Sequence, residues 1–186
     1  KYVGGVAGAN SGTISADSMH LDNNGTISGK QYVGGIVGEN TGEVKNTIND
    51  IKLNVISQDV WYNSANKEYT NDNKEGIDGW EKVATQYFGG VVGKNTGKIT
   101  NAENNGVVNA DGASFVGGIV GHNAGTISGT NITNGGSVIG TSFVGGIGGK
   151  NDAAISGPGN NMVIVTNSGT VQATDGGAGG IWGENT

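Results

Sequence analysis

A glycine doublet in a fixed context recurs along this chain and constrains its fold more than any other feature. The segment Y-V-G-G-V-A-G-A-N-S-G-T-I-S begins at Tyr2, and variants begin at Tyr32, Tyr87, Phe115 and Phe143, with a shorter copy from Ala178. The doublets are Gly4-Gly5, Gly34-Gly35, Gly89-Gly90, Gly117-Gly118, Gly145-Gly146 and Gly179-Gly180. Each is followed by an asparagine at the same distance: Asn10, Asn40, Asn95, Asn123, Asn151 and Asn185. Successive doublets are 30, 55, 28, 28 and 34 residues apart, so a unit of about 28 residues explains all but the 55, which is one unit plus an insertion of about 27.

An N-x-G-x-[I/V] marker occurs a second time within units, at Asn23, Asn104, Asn134 and Asn167. Asparagine and glycine accept the left-handed backbone of turns, and each marker leads into a short β-prone stretch. Every unit therefore reads as several short strands separated by corners. Stretches long enough for helix are rare and show no helical apolar stripe.

Short strands at a fixed period cannot bury a face alone, but coils stacked as a solenoid let each strand pair in parallel with its equivalents above and below. The expected fold is all-β: a parallel β-solenoid, taken as right-handed, with about 28 residues per coil. Residues 1–45 and 87–186 form its regular coils, and residues 46–86 are an insertion or irregular coil within one continuous domain. Identical positions stack in this geometry. Ile14, Val44, Ile99, Ile127 and Ile155 make one inward ladder, and Val6, Ile36, Val91, Ile119, Ile147 and Ile181 another. The asparagines after the doublets make a ladder at a corner. The aromatics that head the units, Tyr2, Tyr32, Tyr87, Phe115 and Phe143, stack as a packing column. The doublets mark places where a wall of the coil presses on another backbone.

Composition closes off other readings. The 38 glycines have no period of three and there is one proline, which excludes a collagen helix. With 34% hydrophobic residues and a net charge of only -6, the chain can build a core. All ten cationic residues are lysine and the isoelectric point is near 4.7, so nucleic acid is not an expected partner. Cysteine is absent, removing disulfides and thiolate chemistry. No apolar run is long enough for a membrane-spanning helix.

The repeats resemble the GLUG motif, G-G-[I/L/V]-V-G-x-N-x-G-x-I, found in filamentous-haemagglutinin-like adhesins and in non-catalytic regions of immunoglobulin A peptidases. The resemblance covers five complete cores and one partial core. The copy at Phe143 departs from it, with Asp152-Ala153-Ala154 in place of x-G-x. The resemblance implies a non-catalytic stalk or adhesin segment of a bacterial surface or secreted fibrous protein, without cofactors. The sequence begins and stops inside core motifs, with no cap read at either end. The expected partners are therefore neighbouring repeats of a longer protein or end-to-end copies.

The insertion is where a ligand site is expected. It holds Trp61, Tyr62, Tyr69 and Trp80 and seven of the sixteen acids, and aromatics beside carboxylates suit a host glycan or protein. The alternative is a cover over the solenoid with its aromatics buried. Asp50 to Ser57 alternates like a strand of the coil. Asn71 to Asp78 offers hard oxygen ligands but lacks the spacing of a calcium loop, and reads as a solvated acidic turn. Enzymes built on β-solenoids make a polysaccharide-binding or polysaccharide-degrading protein the competing reading. Such enzymes need paired or clustered carboxylates, whereas acids outside the insertion are scattered. His122 reads as a surface corner residue, and no serine has partners for a triad.

Overall fold

The computed structural model describes residues 1–21, 25–56, 58–157 and 162–186, with side chains up to Ser15 in the first of these stretches. Among them there is no helix, and parallel strands stack into a β-solenoid of about six coils. A complete coil has four strands. In the second coil they are Gln31–Gly34, Val37–Asn40, Glu43–Asn49 and Lys52–Val55. Their equivalents in the third are Gln86–Gly89, Val92–Asn95, Lys98–Asn104 and the start of Val108–Gly117.

The stacking register equals the register of the sequence repeat. Gly34 lies opposite Gly4 and Gly89, Asn95 opposite Asn40 and Asn123, and Ile99 opposite Val44 and Ile127. Ile14 and Ile155 extend the same ladder. A one-residue slip would turn these apolar side chains to solvent, so burial holds the register. The interior has two apolar columns rather than one. Ile36, Val37, Val44, Val91, Ile99 and Ile119 belong to the first, between the second and third strands. The other joins first and fourth strands through Val33, Leu53, Phe88, Val108, Val116 and Val138.

The glycine doublets form the thin wall between these columns. A Cβ on Gly34, Gly89 or Gly117 would overlap the carbonyl three residues ahead, at Val37, Val92 or Val120. The second glycines make room for side chains: a Cβ on Gly35, Gly90, Gly118 or Gly146 would collide with the amide of Asn49, Asn104, Asn134 or Asn167. Those amides form an internal ladder, each Nδ2 donating to the next Oδ1 at 2.8 Å. A parallel ladder runs through Asn10, Asn40, Asn95, Asn123, Asn151 and Asn185, also at 2.8 Å per step. The amides from Asn10 to Asn151 each also donate to a carbonyl two residues on, as Asn40 does to Gly42 and Asn123 to Gly125, closing their own corners. Asn23 lies outside the described residues.

The aromatic heads stack as expected, with centroids 5.0, 5.2, 5.4 and 5.1 Å apart from Tyr2 to Phe143. Tyr32, Tyr87, Phe115 and Phe143 hold φ between 52° and 64°. This left-handed kink inserts one outward residue ahead of an inward strand, turning each ring to the outer surface.

The insertion leaves and rejoins the coil at one corner. Leu53 and Asn54 pair with Val108 and Asn109, so residues 46–55 are coil, and regular pairing resumes with Gln86 against Gln31 and Ser114. Residues 56–85 therefore stand where the next coil has only Asp111, Gly112 and Ala113, and 30 minus 3 gives the 27 extra residues.

Candidate functional site

Within residues 58–85 a three-stranded antiparallel sheet forms from Trp61–Asn63, Glu68–Thr70 and Trp80–Lys82, with Trp61–Asn63 central. Asn63 caps the first connection, its Oδ1 accepting from the Ala65 amide at 3.0 Å, and Lys67 closes it with φ 60°. Gly76 and Gly79, at φ 74° and 81°, shape the second. In the acidic turn Asn73 Oδ1 accepts from the Glu75 amide at 2.9 Å, and Lys74 lies 3.9 Å from Asp72.

The pairing divides the four aromatics expected at a ligand site. Tyr69 lies opposite Tyr62, which lies opposite Glu81, so these three share one face. Trp61 and Trp80 belong to the other face. Trp61 is buried, 8% exposed, and its indole Nε1 has no partner among the described residues. Trp80 lies beneath the Lys74 ammonium at 5.5 Å. The tyrosine face is the accessible one: Tyr69 is 53% exposed, and its ring centroid is 4.6 Å from that of Tyr62.

An ion cluster pins this sheet to the coil. Lys82 reaches Asp59 at 2.8 Å and Lys30 reaches it at 3.7 Å, while Lys30 Nζ donates to the Gln58 carbonyl at 2.9 Å. The hydrogen bond from Lys82, with the two ammonium charges, holds the Asp59 carboxyl below its ordinary range. Where the sheet meets the coil, Tyr62, Tyr69 and Glu81 line a cleft of about 280 Å³ together with Gln31, Lys1, Lys82, Val83 and Ala84. Behind Tyr69 lies a smaller apolar recess of about 180 Å³, among Val3, Ile56, Val60 and Val83. Sequence reading missed Gln31, because only the resumed pairing at Gln86 brings the excursion back over it.

Two other surfaces carry chemistry. In the aromatic column each interior ring has neighbours on both faces, so only ring edges are open. Burial, and then the neighbouring tyrosines, raise the Tyr32 hydroxyl above its ordinary pKa. On the adjoining edge His122 Nε2 lies 2.7 Å from Asp152 Oδ2, and the Thr186 hydroxyl and the Lys150 ammonium (3.4 Å) reach Oδ1 of the same carboxylate. The Thr186 hydrogen bond, then that from His122, lower Asp152 to about 2. No three His, Asp or Glu side chains among the described residues converge as a metal site.

These features define a class: a six-coil parallel β-solenoid carrying one lateral antiparallel sheet with an aromatic-lined cleft. Comparison with known proteins adds no relative, since no protein-family model, curated protein or solved structure matches the chain.

Proposed function

We propose that this chain is a non-catalytic structural and adhesive segment of a bacterial extracellular or cell-surface fibrous protein, of the GLUG-repeat kind. The solenoid acts as a stiff stalk, and the lateral sheet is its contact surface. The observation that carries this reading is the uninterrupted ladder from Asn10 to Asn185, which keeps one spacing across the coil that bears the insertion. A scaffold whose register ignores a 30-residue excursion holds that excursion in place without depending on it. In the competing polysaccharide-directed reading the cleft supports binding better than cleavage. Glu81 is the single carboxylate lining it among the described residues, whereas glycoside hydrolysis uses two.

Replacing residues 56–85 with Asp-Gly-Ala, the connection of the next coil, tests the proposal. The expected result is an intact β circular-dichroism spectrum with loss of binding to host cells. Undiminished cell binding would overturn the adhesive assignment. Release of reducing or unsaturated sugar ends from polysaccharides would overturn the non-catalytic one.

A further inference from the structure

The cleft's chemistry points to a ligand class, and we propose that it binds a neutral oligosaccharide, one pyranose ring lying on Tyr69 with its hydroxyls held by Glu81 and Gln31. This rests on the adhesive reading above and narrows it. Three observations select the class. Tyr69 is half exposed and fixed against Tyr62 at 4.6 Å, so an aromatic surface is already oriented before any ligand arrives. The C–H face of a pyranose is apolar while its rim is hydroxylic, which matches a tyrosine wall edged by a carboxylate and an amide. The volume, about 280 Å³, lies at the lower edge of small-ligand sites and suits one or two rings at the end of a chain rather than a long stretch of polymer.

Charge then decides between neutral and acidic sugars. Glu81 makes no ion pair among the described residues, so its carboxylate is available to accept from vicinal hydroxyls. Of the two lysines that line the cleft, Lys82 is already bound to Asp59 at 2.8 Å. Lys1 also borders the cleft, but its ammonium sits over the rings of Tyr2 and Tyr32 at 5.6 and 5.9 Å. With Lys82 engaged by Asp59, the charges of Lys1 and Glu81 offset each other, so the cleft has no surplus positive charge to draw in a uronate or sialyl carboxylate on a chain of net charge -6.

The test is titration of the full chain with neutral gluco-, galacto- and manno-oligosaccharides, and with uronate and sialylated oligosaccharides of equal length. At least one neutral series is expected to bind, and the acidic ones to bind at least about tenfold more weakly. Tyr69→Ala should weaken neutral binding about tenfold, and Tyr69→Phe, which keeps the ring face, should change it little. Glu81→Gln should weaken the neutral ligand and strengthen the acidic ones, a crossed effect that misfolding cannot produce. Acidic sugars bound as well as neutral ones, or binding indifferent to Tyr69→Ala, would overturn the proposal. If exchange of residues 56–85 abolishes cell adhesion while no neutral sugar binds, the adhesive reading stands and this one fails. If neither adhesion nor sugar binding responds, both fail.

Discussion

Replacing Asn123 with alanine probes the feature on which the coil's regularity rests. Asn123 is fully buried, and its amide makes three bonds: it accepts from Asn95 at 2.8 Å and donates to Asn151 at 2.8 Å and to the Gly125 carbonyl at 3.2 Å. Each such bond contributes about 0.5–1.5 kcal/mol net, and the buried Asn95 and Asn151 amides left behind cannot reach water, so the loss should be about 2–4 kcal/mol. Asn185 accepts one ladder bond and is exposed, so Asn185→Ala should lose no more than about 1 kcal/mol. Urea unfolding followed by circular dichroism measures both. Asn123→Asp sharpens the test, because a carboxylate cannot donate to Asn151. Burial without a donor to give raises the acid's folded pKa above its unfolded value. Its destabilisation should therefore be full near neutral pH and shrink as pH falls and the acid protonates. Equal losses at Asn123 and Asn185, or an Asn123→Asp variant that weakens further on acidification, would refute the ladder as a source of stability.

Ile127→Asp should destabilise by several kcal/mol, because Ile127 is fully buried, whereas Thr126→Asp on the exposed side of the same strand should change stability by less than about 1 kcal/mol; similar unfolding midpoints would mean the strand's faces are reversed. Asp152, lowered to about 2, contributes stability that is present above the ordinary aspartate range and lost as pH falls through about 2, so its carbon-13 carboxyl titration should move upward in Thr186→Val. Phe115→Gly should be better tolerated than Phe115→Ala, because both lose the ring contacts with Tyr87 and Phe143 but only glycine relieves a φ of 58°; chemical denaturation showing alanine the more stable would remove the strain argument.

The coil was legible because its determinants repeat at one spacing. Ile14, Val44, Ile99, Ile127 and Ile155 could be aligned from sequence, and alignment is pairing when strands stack in register. What stayed hidden joins different positions of the unit. Asn49 belongs to the internal ladder, yet Ile51 stands where the marker has glycine, and the N-x-G pattern passed over it. The second glycine of the four inner doublets, Gly35, Gly90, Gly118 and Gly146, serves that ladder, a relation across the coil that no linear spacing encodes. His122 read as an isolated corner residue because its partner Asp152 is 30 residues on. The expected site was half legible. The aromatic cluster could be seen, but one position of strand alternation sends Trp61 and Trp80 away from Tyr62 and Tyr69, and that register follows from pairing rather than composition.

The excursion's position explains why the solenoid can host a 30-residue insertion at so little cost to its order. Its ends meet the coil at Val55 and Gln86, both at the corner between a fourth and a first strand, where the next coil needs only three residues. A longer loop between fixed ends adds closure entropy only logarithmically, so the enlargement weakens the coil little. The Asp59 carboxylate bridges sheet and coil, pairing with Lys82 of the excursion and Lys30 of the coil, while Lys30 also donates to the Gln58 carbonyl. Lys30 is the one residue between the first coil's last strand and the second coil's first, immediately before Gln31 of the cleft. The bridge between sheet and coil is thus adjacent in sequence to the coil residue that lines the cleft. Lys30→Ala should accordingly loosen the sheet and weaken any cleft ligand while leaving both asparagine ladders intact.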